Sequence, residues 1–322
     1  MLGKKIKTMY RAQLYAQADD TGNVFYFSAA DFDGLGQVPF AFHASAGHRL
    51  QGYFYSYPHS IEGRIVVFDH GMGGGHRAYM KEIEMLARRG YLVFAYDHTG
   101  CMESEGAGTN GFAQSLCDLN DAISALRSDP TYGKCDISVV GHSWGGFSTM
   151  NIVALHPDVK HVVALSGFVS VERMLRQMFG KGIAKLFYKR LWRIEQEANP
   201  VFVKYDACES LRGAAMPVLL IYSEDDPTVR AADHFEVLKA ALDGKENVKF
   251  LFVNGKGHNP NYTADAVKYK DVFFKELTAK VKAKAPETPE QKREFIAKWD
   301  WNRMTAQDEK VWSVIFETLD QI

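Results

Sequence analysis

Short apolar runs rich in β-branched and aromatic residues recur along the chain, separated by stretches with helical periodicity. The runs predict strands at Val24–Phe27, Val38–Ala44, Arg49–Ser56, Arg64–Asp69, Tyr91–Asp97, Asp136–Gly141, His161–Ser166, Pro217–Ser223 and Val248–Val253. Helices are expected over Tyr79–Arg89, over Gly111–Ser128 and directly after Ser143. Ile65-Val66-Val67-Phe68 and Val218-Leu219-Leu220-Ile221 are unbroken apolar runs, the pattern of strands covered on both faces. Leu50-Gln51-Gly52-Tyr53-Phe54 alternates more and suits an antiparallel edge. Strand and helix in alternation predict an α/β protein with a mostly parallel twisted sheet and helices on both faces.

Two segments break this rhythm. Residues 169–216 separate two strands by far more than an ordinary connection. Ile183, Leu186, Phe187, Leu191 and Trp192 stand at helical spacing there, so a helical cap or lid is expected. Seven Lys and Arg against the single Glu172 fill 171–193, read either as a solvated face or as a cap favouring anionic substrates. Phe179, Phe187, Tyr188 and Trp192 are candidates for an acyl pocket, with plain core packing as the alternative. The second segment is the tail, 285–322. Thr288-Pro289-Glu290-Gln291 reads as a capping box, and Val311, Trp312, Ile315, Phe316 and Leu319 lie on one face of a further helix. Trp299, Trp301 and Trp312 must bury against something, either the tail's own domain or a second copy in a homodimer. The expected division is a core of 1–168 and 217–284, with an N-terminal extension over about 1–22, a cap of 169–216 and a C-terminal helical extension of 285–322.

Composition narrows the partners. With 38 Lys and Arg against 39 Asp and Glu in 322 residues the net charge is −1, which disfavours a nucleic-acid binder. No apolar run reaches the roughly 20 residues of a membrane-spanning helix. The basic start lacks the apolar stretch of a signal peptide, so a cytoplasmic location is expected. Cys101, Cys117, Cys135 and Cys208 show neither CxxC pairing nor metal-ligand spacing and read as reduced thiols, Cys101 as a buried inert one.

The chemistry concentrates at Gly141-His142-Ser143-Trp144-Gly145-Gly146, directly after the strand Ile137-Ser138-Val139-Val140. A G-x-S-x-G between a strand and a helix makes a sharp turn that presents the serine hydroxyl outward. A serine hydroxyl is a weak nucleophile and needs a base oriented by a third group. His258, flanked by glycines in Gly255-Lys256-Gly257-His258-Asn259-Pro260 just past Val248–Val253, is the candidate base; His234 falls inside a helical stretch. The acid is expected beyond Ser223, where Glu224, Asp225 and Asp226 all qualify. Asp226 is favoured because Pro227 follows it in a turn that would aim it back at the strand ends.

Acyl transfer also needs donors for a developing oxyanion. The Trp144 N–H is one candidate and the Met72 N–H, in the loop His70-Gly71-Met72-Gly73-Gly74-Gly75, is the other. That loop has no Walker pattern for phosphate, and His70 with His76 lack a third ligand at suitable spacing, so no metal is expected.

The elbow, the His70-Gly71 loop and the stretch Tyr96-Asp97-His98-Thr99-Gly100-Cys101-Met102-Glu103-Ser104-Glu105-Gly106 together resemble the α/β-hydrolase superfamily. Within it the chain is most similar to the lysophospholipase, monoacylglycerol lipase and serine aminopeptidase-like branch, over about 42–277. Met102 stands where that branch usually has a glycine. The resemblance implies a Ser-His-Asp hydrolase without a cofactor and a lid inserted between strands six and seven. A serine esterase acting on a small or lipid-like acyl substrate is the leading expectation, with an amidase or aminopeptidase on the same triad as the alternative. A hydrolase-like binding protein with little turnover is the reading from another class. Serine rather than aspartate at 143 disfavours dehalogenase and epoxide hydrolase chemistry.

Overall fold

The computed structural model describes residues 2–18, 27–180, 182–283 and 288–321. The first helix, α1 (Leu2–Leu14), is followed by β1 (Gly36–His43), β2 (Arg49–Ser56), β3 (Arg64–Asp69), α2 (Met80–Arg88), β4 (Leu92–Tyr96), α3 (Gln114–Ser128), β5 (Asp136–His142), α4 (Trp144–Asn151) and β6 (Val162–Leu165). Three helices, α5 (Val171–Phe179), α6 (Tyr188–Ala198) and α7 (Ala207–Arg212), intervene before β7 (Val218–Ser223), α8 (Phe235–Ala241), β8 (Val248–Val253) and α9 (Ala264–Ala283). The tail forms α10 (Pro289–Ala297), α11 (Trp301–Met304) and α12 (Glu309–Leu319). The strand expected at Val24–Phe27 falls almost wholly outside the described residues, and Phe27 itself is irregular.

One eight-stranded sheet runs β1-β2-β4-β3-β5-β6-β7-β8. The β1–β2 and β2–β4 pairs are antiparallel and all the others parallel, so the alternating strands do form the edge region. The chain order reverses at β3, which lies between β4 and β5. In such sheets ligands bind outside the carboxyl ends of the strands at that reversal.

Residues of the apolar runs alternate between the two faces, as the two-residue period of a strand requires. Ile65, Val67, Val139, Val162 and Leu220 pack with α3 and α4 in one core cluster. Val66, Phe68, Val140, Val163, Leu219 and Ile221 pack on the other face with α2 and with Val311, Trp312, Ile315 and Leu319 of α12. The tail therefore completes the second layer of its own sheet. Each buried Val, Ile or Leu there contributes about 1.5–3 kcal/mol of burial. Trp299 and Trp301 pack against Phe273, Phe295 and Met304 in a smaller cluster on α9.

In the segment between β6 and β7, Met174, Leu175, Leu191 and Ile194 are buried, with Phe179, Tyr188 and Trp192 packed against them. The single helical stripe expected there is corrected: Gly182–Leu186 is a 3-10 turn, Leu186 is 79% exposed, and the side chain of Ile183 lies outside the described residues. Lys185, Lys189, Arg190 and Arg193 are exposed, and Arg176 pairs with Glu172 at 2.7 Å. The α1 helix, which nothing in the sequence reading anticipated, docks on this segment. Tyr10 and Tyr15 donate their hydroxyls to the buried Glu195 carboxylate at 2.7 and 2.9 Å, and Phe112 N–H donates to the same group at 2.9 Å. Among the described residues no helix is long and apolar enough to cross a membrane.

Candidate active site

The loop after β3 and the elbow after β5 are neighbours because Asp69 and Gly141 are register partners at the ends of these two strands. At the elbow Ser143 has φ +58° and ψ −110°, a conformation costly for any residue with a Cβ. The glycines make that turn sterically feasible. A Cβ on Gly145 would lie 2.0 Å from the Asp69 backbone oxygen, and one on Gly141 2.5 Å from the Gly145 oxygen. Ser143 N–H donates to Leu165 O at 2.8 Å, which pins the turn to the end of β6.

Ser143, His258 and Asp226 come together from three separate loops. Ser143 Oγ is 2.8 Å from His258 Nε2, and His258 Nδ1 is 2.8 Å from Asp226 Oδ2. Asp226 is buried, and its other oxygen accepts the N–H groups of Thr228 and Val229 at 2.7 and 3.0 Å. The turn after Pro227 thus holds the carboxylate toward the imidazole. Asp225 has a different position. Its Oδ1 accepts from Ser223 Oγ at 2.5 Å and from the backbone N–H groups of Lys256 and Gly257 at 3.2 Å, bracing the histidine loop from below. Glu224 is exposed.

The loop carrying the second candidate oxyanion donor crosses close to the serine. A Cβ on Gly71 would lie 3.4 Å from Ser143 Cβ and would press on the Tyr79 hydroxyl, which would have to shift. Met72 follows, half-buried. Trp144 N–H is the first amide of α4 and has no acceptor within the helix. Its indole is buried and donates to Phe112 O at 2.6 Å.

A buried polar layer lies beneath the elbow. Asp69 accepts from Tyr96 Oη at 2.8 Å and from Ser148 Oγ. His98 Nε2 stands 2.8 Å from Asp69 Oδ1, an ionic contact without hydrogen-bond geometry, and His98 Nδ1 is 3.3 Å from Asp118 Oδ2. Burial works to lower the His98 pKa, but the Asp69 and Asp118 carboxylates outweigh it and lift it to about 9. His70 goes the other way. Burial, then the charge of His98, takes it down to about 3. His70 donates from Nδ1 to Gly71 O at 2.8 Å and accepts His98 N–H at Nε2. His76 bridges Asp97 and the Tyr55 hydroxyl, each at 2.8 Å. Cys101 is fully buried and its thiol pKa is pushed up by burial.

Three supports of the site lie outside the residues to which the sequence motifs assign a role. The Tyr79 hydroxyl and the His142 ring lie between the two loops. The tail holds the histidine loop: Lys256 Nζ is 2.5 Å from Asp308 Oδ2, Asp308 N–H donates to Asn261 O at 2.7 Å, and Thr263 N–H donates to Ala306 O at 2.9 Å. Asn261 Nδ2 and Trp312 Nε1 both donate to Gln307 Oε1 at 2.8 Å. Asp308 follows a Thr-Ala-Gln turn and caps α12, a local signal that reveals the cap but not its distant lysine.

Residues 61–204 match the family model described as serine aminopeptidase, S33. Monoglyceride lipase of Rattus norvegicus is 30% identical over 95 residues, which is 29% of this chain and 31% of that protein. Lysophosphatidylserine lipase ABHD12 of Macaca fascicularis is 23% identical over 248 residues, 73% of this chain and 56% of the relative. The chain thus spans between about a third and just over half of these relatives' own length. An esterase of Pyrococcus furiosus superposes with a TM-score of 0.59 at 19% identity, covering 88% of this chain and 99% of that one. With its reversal-point elbow and these similarities, the chain has the α/β-hydrolase fold and resembles the lysophospholipase, monoacylglycerol lipase and serine aminopeptidase-like branch of that superfamily.

Proposed function

We propose that the protein is a serine hydrolase that cleaves a carboxylic ester of a small or lipid-like acyl group. The observation that carries this reading is the continuous line Asp226–His258–Ser143, with both contacts at 2.8 Å and the serine held on a strained elbow. Ser143 Oγ attacks the carbonyl carbon while His258 Nε2 takes its proton. Asp226 keeps the Nδ1–H tautomer and stabilises the imidazolium. The carbonyl oxygen gains negative charge, and the Met72 and Trp144 N–H groups receive it. Collapse breaks the bond to the leaving alcohol, which takes the proton from His258. Water, deprotonated by His258, then attacks the acyl-enzyme and releases the acid. The helices between β6 and β7 act as a lid over this site, and no cofactor enters the sequence of steps.

Similarity to an esterase and two lipases favours the ester. The aminopeptidase name of the matching family model favours a second reading, an amide on the same groups. The kcat/KM ratio for a matched ester and amide with a common acyl group separates them. The ester reading expects the ester to be preferred, and amide preference would remove that label.

A further inference from the structure

A chain of hydrogen bonds joins the oxyanion-side loop to the loop of the base. Gly71 donates its backbone N–H to Tyr79 Oη at 3.1 Å. Tyr79 Oη lies 2.9 Å from His142 Nδ1, and His142 Nε2 lies 2.7 Å from the backbone oxygen of His258. The proton positions follow from chemistry. A carbonyl oxygen only accepts, so Nε2 of His142 carries a hydrogen. Burial, then the neighbouring His258, hold the His142 pKa well below the ordinary histidine range, so the ring is neutral and Nδ1 accepts. The Tyr79 hydroxyl therefore donates to Nδ1, and its oxygen accepts from Gly71.

Packing makes the chain rigid. His142 is buried, with its ring 4.8 Å from that of His258, and the Tyr79 ring packs 5.3 Å from Phe68 and 5.6 Å from His142. Gly255 and Gly257 both take positive φ and carry no side chain, so the base's loop is held by Lys256 on Asp308, by Asp225 and by the His142 contact to the His258 backbone. On the other side, the Gly71 amide is engaged by Tyr79 Oη, and the next residue in the chain is Met72, whose N–H is the proposed oxyanion donor.

We propose that Tyr79 and His142 are positioning residues that set the oxyanion loop and the histidine loop at one fixed spacing around Ser143. This rests on the serine hydrolase reading. Neither side chain exchanges a proton with substrate; each holds the backbone of a loop that carries a working group. A displacement of about 1 Å at a reacting centre can cost about a hundred-fold in rate, so the loss belongs in kcat rather than KM.

The test is steady-state hydrolysis of p-nitrophenyl butyrate by the full chain, with melting curves for every variant. Wild type and Ser143→Ala come first; turnover that needs Ser143 supports the underlying reading, and turnover independent of Ser143 overturns both. Tyr79→Phe and His142→Leu are expected to lower kcat by about 10- to 100-fold with KM within about two-fold. His142→Gln keeps one donor and one acceptor and is expected to recover most of that loss. The Tyr79→Phe/His142→Leu double variant should lose no more than the worse single variant, because both break the same chain. Folded single variants with wild-type kcat, losses that multiply in the double variant, or His142→Gln no better than His142→Leu would each overturn the proposal while leaving the hydrolase reading intact.

Discussion

Ser143, His258 and the carboxylate beside Pro227 were legible because each carries a local signature: glycines spaced around a serine, glycines around a histidine, and a turn after an acid. What separates Asp226 from Asp225 is a matter of which way a turn aims two adjacent carboxylates, and that is set by amides of Thr228, Val229, Lys256 and Gly257. The two acids should differ sharply on mutation. Asp226→Asn is expected to lower kcat by about 10⁴-fold, through loss of the correct tautomer of His258. Asp225→Asn weakens only a brace, and about a ten-fold loss or less is expected. Equal losses in the same ester assay would contradict this assignment. The elbow glycines offer a second check. In Gly145→Ala the new methyl meets the Asp69 carbonyl, a backbone atom that cannot swing aside, so urea unfolding should show a loss of about 3 kcal/mol or more.

At the scale of elements, the strands from β1 to β8 follow the apolar runs closely because burial on one or both faces writes itself into the period. The tail was readable as helices but not as a layer. An amphipathic stripe states that a face is covered and leaves the covering surface unnamed. Here α12 lies on the sheet beside α2, and the turn before it grips the histidine loop through Asp308, Gln307 and Ala306. The α1 helix was hidden for a similar reason, since its anchors are two tyrosine hydroxyls on Glu195, far away in the sequence. Among the described residues, Asp308→Ala leaves the Lys256 ammonium donating to Tyr262 O at 2.6 Å. The expected cost is about 1–3 kcal/mol in denaturant unfolding, for an ionic hydrogen bond lost at a mostly buried site. A fall in kcat at unchanged KM should accompany it; unchanged stability and rate would show that the tail does not hold the loop.

For the whole molecule, buried histidines contribute to the response to pH on both sides of neutrality. His70 and His234 are each held at about 3 by burial, and the stability that their neutral forms carry is complete above about pH 6.5 and lost as pH falls toward about 3. His98 is raised to about 9, so its contribution is complete below about pH 6.5 and lost as pH rises toward about 9. The melting temperature is therefore expected to peak near neutrality. His98→Gln should flatten the alkaline limb between about pH 7 and 9 without altering the acid limb; an unchanged alkaline slope would show that His98 is not the group responsible. None of this was visible in the sequence, because His98 meets His70, Asp69 and Asp118, and His142 meets Tyr79, only once β3, β4 and β5 lie side by side.

The proposed chemistry depends on activation of Ser143 by His258. Reaction of the folded protein with a fluorophosphonate probe, with the modified residue located by peptide mass, tests it most directly. Wild type should label stoichiometrically at Ser143, Ser143→Ala not at all, and His258→Ala at a rate lower by about a thousand-fold or more. Folded wild type that does not label, or labelling of Ser143 that is indifferent to His258, would mean that His258 does not activate this serine.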